Sequence, residues 1–226
     1  MQNTTMIELP ERVKEILDPI MEAGYEAYAV GGCIRDSILG RKPNDWDITT
    51  SASPYEIKEL FRRTVDTGIQ HGTVTVMMDK EGFEVTTYRI DGDYKDGRHP
   101  SEVTFTASLK EDLRRRDFTI NAMAYNEQNG LVDIFGGMQD IADGVIRCVG
   151  EPRERFSEDA LRIMRAVRFS AQLGYRIEEK TKAAIEELAL ALKKISAERI
   201  QVELVKLVTS KHPEELLTAY ETGITS

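Results

Sequence analysis

Two cysteines are all the chain holds, at positions 33 and 148. They give no metal-ligand spacing and no disulfide framework, and free cysteine is commonly buried, so both read as reduced core thiols. Histidine is nearly as scarce. His71, His99 and His212 are scattered and form no HxxxH zinc pair. No apolar run approaches the roughly 20 residues that cross a bilayer, so no membrane partner is expected. The polar start also lacks the apolar stretch of a signal peptide, which makes the cytoplasm the expected location. Positive charge is in deficit too. A formal net charge of −9 argues against wholesale nucleic-acid wrapping. A local basic groove on an acidic body remains compatible with it. Internal repeats and low-complexity linkers are absent.

What is present reads as an ordinary globular protein, with 41% hydrophobic and 31% charged residues. Its 226 residues suffice for one good core or two small domains. Arginines gather at Arg114-Arg115-Arg116 and at Arg155, Arg162, Arg165 and Arg168. Such clusters on an acidic chain raise the question of which anion they meet.

The first part mixes helix and strand. Val13, Ile16, Leu17, Ile20 and Met21 keep helical spacing up to Gly24. Residues 25–30 read as a strand that runs into Gly31-Gly32 and then a helix to Gly40. Residues 46–50 read as a strand. Ser53-Pro54-Tyr55-Glu56 is a capping box with proline at the first helical position. Residues 73–78 and 83–89 are β-rich and separated by Asp79-Lys80-Glu81-Gly82, a hairpin signal. Residues 91–101 form a polar loop, Ser108 to Glu111 a second capping box, and 131–135 a strand before Gly136-Gly137. From Ser157 onward only helices are expected, broken near Gly174, Ile195 and Pro213. The expectation is an α/β domain over 1–150, a helical domain over 151–212, and the start of a further helical body over 213–226. The ending suggests a fragment of a longer protein.

Three constellations carry chemistry. In the first, a strand enters Gly31-Gly32 and a helix begins with Arg35-Asp36. Glycine lets backbone approach a ligand, and the helix start suits phosphate. Gly32 and Arg35 are therefore phosphate candidates, although such turns also serve purely structural ends. Asp45 and Asp47 sharpen the reading. Two apart on a strand, they would share a face and repel unless a cation intervened. Mg²⁺ takes hard oxygen ligands of this kind alongside substrate phosphates. Glu84 either adds a third acid or is an exposed strand glutamate.

The second constellation runs from Glu158 to Phe169. Leu161, Met164, Val167 and Ala171 form an apolar stripe, and Asp159 and Arg162 lie three apart as helical neighbours. They form either a simple salt bridge or a fixed pair that reads a base. Cytosine and adenine each present an amine donor beside a ring-nitrogen acceptor; uracil and guanine present the opposite pattern. A carboxylate and a guanidinium would accept the first two and leave buried groups unpaired against the others. Arg165 and Arg168 could then face triphosphate or the RNA backbone. The third stretch, Arg115 to Asn121, offers Arg116 to phosphate and Asp117 to a ribose hydroxyl, or else is a helix end stabilised by arginines.

Together these residues closely resemble the class II tRNA nucleotidyltransferases, the bacterial CCA-adding enzymes and their poly(A) polymerase relatives. The matching segments are Gly31-Gly32 with Arg35-Asp36, Asp45-x-Asp47, Arg115 to Ala122, Asp133 to Gly137, Glu158-Asp159-x-x-Arg162-x-x-Arg165-x-x-Arg168-Phe169 and Glu198-Arg199-Ile200. The resemblance implies an α/β head of polymerase-β type, a small mixed sheet with flanking helices, followed by an all-α neck. It implies Mg²⁺ at Asp45 and Asp47. It implies nucleotide contacts at Gly32, Arg35, Arg116, Asp159, Arg162, Arg165 and Arg168. Residues 96–100 look like the family's flexible loop, associated with switching from C to A addition.

The implied reaction is addition of CMP and AMP to the tRNA 3′ end from CTP and ATP, with release of pyrophosphate. A poly(A) polymerase or A-only adder of the same fold is the alternative, and a non-catalytic RNA-binding or nucleotide-binding module is the rival from another class.

Overall fold

The computed structural model describes residues 6–92 and 103–224. The segment 96–100, expected to be a loop tied to C-to-A switching, lies outside the described residues. The chain divides into two compact units. Among the described residues the first gathers 6–92, 103–116 and 120–137, and the second gathers 117–119 and 138–224.

The first unit contains helix α1 (Glu11–Glu22), strand β1 (Ala27–Val30), α2 (Gly32–Ile38), β2 (Asp47–Thr50), α3 (Pro54–Leu60), β3 (Thr64–Gly68), β4 (Thr73–Met78), β5 (Glu81–Thr87), β6 (Arg89–Asp91), β7 (Val103–Phe105), α4 (Leu109–Arg114), β8 (Met123–Asn126) and β9 (Gly130–Asp133). Seven strands form one sheet in the order β3-β4-β5-β2-β1-β8-β9. Only the β2–β5 junction is parallel, so the sheet is mixed.

The pattern of side chains explains the layering. In β1 the run Ala-Tyr-Ala-Val is buried throughout, as befits a central strand covered on both faces. In β4 Val74 and Val76 turn inward while Thr73 and Thr75, which alternate with them, are half-buried. One core cluster joins Tyr28 and Val30 of β1 with Tyr88, Ala124 and Leu113, and Leu109 packs on it. That apolar contact lays α4 against the sheet. The β4–β5 hairpin is tighter than expected. Met78 pairs with Glu81, and Asp79 takes a positive φ of 56°, so the turn is Asp79-Lys80 alone. The capping box forms as read: the Ser53 hydroxyl accepts from the Glu56 amide at 3.3 Å, and the Glu56 carboxylate accepts from the Ser53 amide at 2.7 Å.

The second unit contains α5 (Gly137–Asp143), whose first residue belongs to the first unit, then β10 (Val145–Ile146), α6 (Pro152–Glu158), α7 (Leu161–Leu173), β11 (Arg176–Ile177), α8 (Glu179–Leu188), α9 (Ala197–Val208) and α10 (Leu216–Glu221). Helix α7 is its hub. The expected stripe Leu161, Met164, Val167 and Ala171 is buried, and so are Ile163, Ala166 and Phe169. Gly174 ends α7 in the left-handed region at φ 72°.

One expectation fails here. Residues after Ser157 are not purely helical, because Arg176–Ile177 pairs in parallel with Val145–Ile146. A two-residue strand is too short for periodicity to register, and its partner lies about 30 positions upstream. Among the described residues, no helix is long and apolar enough to cross a membrane.

Candidate active site

The double glycine is a sharp bend built on β1. Gly31 has φ 87° and ψ −132°, a region open essentially to glycine. Its amide donates to the Met123 carbonyl at 3.1 Å, which fixes the bend to β8. A Cβ at Gly31 would lie 3.2 Å from Nη1 of Arg116. Gly31→Ala should therefore lower stability by about 2 kcal/mol through backbone strain and also displace Arg116. Chemical denaturation of the variant checks this, and unaltered stability would contradict it. Gly32 is the first residue of α2, and a Cβ there would meet only the Arg35 guanidinium at 3.5 Å.

Asp47 sits beside this bend because of strand register. Val30 pairs with Asp47, so the carboxylate stands one residue from Gly31 on the neighbouring strand. One step beyond the Ile48–Val85 pair brings Glu84 of β5 to the other side of Asp47. Both carboxylate-bearing residues are exposed. Even so, the protein around Asp47 pushes its pKa up by desolvation. Arg116 pulls it down, while Asp45 and Glu84 push it up further. The net direction is upward. The site carries surplus negative charge that a cation would relieve.

Asp45 departs from expectation. The strand begins at Asp47, so Asp45 precedes it and the alternation of a strand does not fix its direction. The cause lies in β1, whose last paired residue is Val30. Once Gly31 turns into α2, β1 offers no partner to residues before Asp47, and the pairing with β5 starts only at Ile48. Asp45 is nevertheless close enough to raise the pKa of Asp47. Among the described residues, no three or more His, Cys, Asp or Glu side chains gather as a metal cage. Asp45 and Asp47 are carboxylates, the hard oxygen donors that a cation such as Mg²⁺ takes alongside water and phosphate.

Arg35 is 8% exposed. Its Nη1 donates to the Asn121 side chain at 2.6 Å and its Nε to Asp36 at 2.9 Å. Arg116 donates to Asp112 at 3.4 Å. Both thiols are buried as expected, and burial pushes each pKa up to about 12.

The Arg115–Asn121 stretch is divided. Arg116 and Asn121 belong to the first unit, and Asp117, Phe118 and Thr119 to the second. In the second unit the Asp117 amide segment pairs with 147–149, since the Val149 amide donates to the Asp117 carbonyl and the Thr119 amide to that of Arg147. Arg165 holds the Asp117 carboxylate, at 2.7 Å from Nε and 2.6 Å from Nη2. Phe118 meets Phe169 edge to face at 5.8 Å.

Asp159 and Arg162 are not partners within one helix. Helix α6 ends at Glu158, Asp159 is extended, and α7 starts at Leu161. Arg162 donates instead to Glu158 at 2.5 Å and to the Arg155 carbonyl at 3.1 Å. Asp159 accepts from Arg199 of α9 at 2.9 Å and from the Leu161 amide at 3.0 Å. Those bonds fix its direction and leave acceptor capacity on the carboxylate. Arg168 is buried, ion-paired to Glu203 of α9 and bonded to Gln172 at 2.8 Å. A nucleotide contact from Arg168 would require exchange of those partners. Asp112 and Glu203 drew no attention in the sequence, because a buried carboxylate among arginines looks like any surface charge pair.

Two family models match the chain, the "Poly A polymerase head domain" over residues 27–147 and the "Probable RNA and SrmB- binding site of polymerase A" over 174–226. The CCA-adding enzyme of Lactiplantibacillus plantarum is 53% identical over 92% of this chain and 51% of that protein. The crystal structure of the Bacillus stearothermophilus CCA-adding enzyme in complex with CTP superposes with a TM-score of 0.87 at 43% identity, covering 95% of this chain and 52% of that one. The Thermotoga maritima CCA-adding enzyme complexed with tRNA_CCA gives a TM-score of 0.80 at 27% identity, covering 96% and 52%. The chain thus spans about half the length of the relatives it matches. It belongs to the poly A polymerase head-domain family and corresponds to the head and neck region of the class II CCA-adding enzymes.

Proposed function

We propose that this chain carries the chemistry of template-independent CMP and AMP addition to the 3′ end of tRNA, using CTP and ATP and releasing pyrophosphate. The observation that carries the reading is the register that sets Asp47 beside the Gly31-Gly32 bend, with Asp45, Glu84 and Arg116 acting on one carboxylate. The named relatives of matching sequence and fold support it, as do the CTP and tRNA bound to two of them. Residues 1–150 serve as the nucleotidyltransferase head, 151–212 as the neck, and 213–226 as the start of a helical body. The natural setting of tRNA substrates favours the cytoplasm.

Nucleotidyltransferases of this family use divalent metal ions. Asp45 and Asp47 are the residues to hold Mg²⁺, with Glu84 adding negative charge nearby. When bound, the metal supplies charge neutralisation on the phosphates and a lower pKa for the attacking hydroxyl. The chain's own groups do the rest. The Gly31-Gly32 bend and the first amides of α2 receive triphosphate oxygens without side-chain obstruction. Arg116 and Arg35 add positive charge to that side. Asp159 accepts from the amine of cytosine or adenine and Arg162 donates to the ring nitrogen, while Arg165 adds positive charge along α7 and Arg168 joins it on exchanging its Glu203 and Gln172 partners.

The test offers tRNA ending before CC, at CC and at CCA, with CTP and ATP separately and together. Extension to CCA followed by a stop is the expected result. Extension by A alone would replace this reading with an A-only adder or poly(A) polymerase. Nucleotide binding without turnover in Mg²⁺ would point to the non-catalytic module.

A further inference from the structure

The geometry points to Asp112 as a positioning residue that aims Arg116 at the triphosphate side and locks it to the strand bearing Asp47. This inference rests on the nucleotidyltransferase reading above. Asp112 lies on α4 and is wholly buried, with 0% exposure. An isolated buried carboxylate is costly, so its partners define its purpose.

Its Oδ2 accepts from the Thr49 hydroxyl at 2.9 Å and from Nη2 of Arg116 at 3.4 Å. Its Oδ1 accepts from Nε of Arg115 at 3.0 Å and from the Arg89 amide at 3.4 Å. One carboxylate thus joins α4, β2 and the start of β6 to consecutive arginines. Thr49 is two residues along β2 from Asp47 and faces the same side of the sheet. Burial pushes the carboxyl pKa of Asp112 up, but Arg115, Arg116 and the Thr49 hydroxyl outweigh it, and the net direction is down. Asp112 is therefore charged at neutral pH.

Arg116 needs such an anchor. Its Nε is buried with no hydrogen-bond partner among the described residues. Its Nη1 lies against the Gly31 backbone. Arg116 also acts on Asp47 electrostatically. Released from Asp112, it is drawn toward the carboxylate proposed for the cation. Asp112 thus keeps Arg116 beside Asp47 without letting it collapse there, because the carboxylate that holds Arg116 is itself fixed by Thr49, Arg115 and the Arg89 amide.

The experiment is a double-mutant cycle on CTP affinity, measured by calorimetry with Mg²⁺, using Asp112→Asn, Arg116→Ala and their combination. Asp112→Asn keeps the shape and removes the charge. It should weaken CTP binding about tenfold in the wild-type background and have little further effect when Arg116 is already alanine. Thr49→Val, which removes only the hydroxyl anchor, should weaken binding about two- to threefold and guards against a misfolded Asp112 variant. Thermal melts accompany each protein. Equal losses of affinity in both backgrounds, or a lowered melting temperature with unchanged affinity, would overturn the positioning role alone. Failure of the wild-type chain to bind CTP would overturn the nucleotidyltransferase reading and this inference with it.

Discussion

Asp47→Asn lowers nucleotide incorporation by about 10³-fold or more while leaving the metal-free protein at least as stable as wild type at neutral pH. The two halves of this expectation share one cause. Desolvation, Asp45 and Glu84 raise the pKa of Asp47 above the ordinary aspartate value of about 3.9, against the pull of Arg116. A carboxyl raised in the folded state binds more protons there than in the unfolded state. Stability contributed by this group therefore falls as pH rises through the window from the ordinary to the raised pKa, and the deficit persists above it. Asparagine carries no charge and escapes the deficit. The difference between variant and wild type should vanish at low pH and grow through that window. Because Asp47 is open to solvent, the gain is modest. Added Mg²⁺ should raise the melting temperature of wild type and not that of the variant. Denaturation at several pH values and primer-extension rates check both halves. Retained activity would remove Asp47 from the metal site.

Asp159→Ala should relax base choice, lowering discrimination of C and A against U and G by about 10²-fold. The mechanism is unpaired polarity. A carboxylate held by Arg199 and by the Leu161 amide presents a fixed acceptor to an exocyclic amine. Uracil and guanine place an acceptor there, so carboxylate meets oxygen and neither is satisfied. Alanine removes that penalty. It also removes the bond to the Leu161 amide, which costs about 1 kcal/mol at the start of α7. Incorporation of each of the four nucleoside triphosphates, measured on protein shown to be folded, separates the effects. Unchanged discrimination against UTP and GTP would defeat the base-reading role.

Much of this arrangement is legible in the chain because its signals are local. Ser53, Pro54 and Glu56 sit within four residues, and their capping box forms as read. Gly31 announces a bend because no other residue adopts its backbone without strain. Val74 and Val76 alternate with threonines, and the strand follows. What the sequence hides depends on partners distant along the chain. Asp45 lies off the strand because β1 stops pairing at Val30 and β5 at Val85, which no pattern around Asp45 reveals. Arg162 reaches Glu158, and Asp159 reaches Arg199 on α9, because α6 ends before Asp159 and the chain is extended there. Asp112 resembles an exposed acid before Arg114 until the sheet brings Thr49 and Arg89 to it. Strand β3, with its three central residues exposed, has no apolar alternation to read and forms by pairing with β4.

The most direct measurement is a Mn²⁺ titration followed by electron paramagnetic resonance, with CTP present, on wild type, Asp45→Asn and Asp47→Asn. A divalent ion bridging carboxylates and nucleotide predicts saturable Mn²⁺ binding by wild type and at least about tenfold weaker binding by either substitution. Indistinguishable Mn²⁺ affinities in the three proteins would mean that these acids do not hold the ion, and the catalytic account would fall.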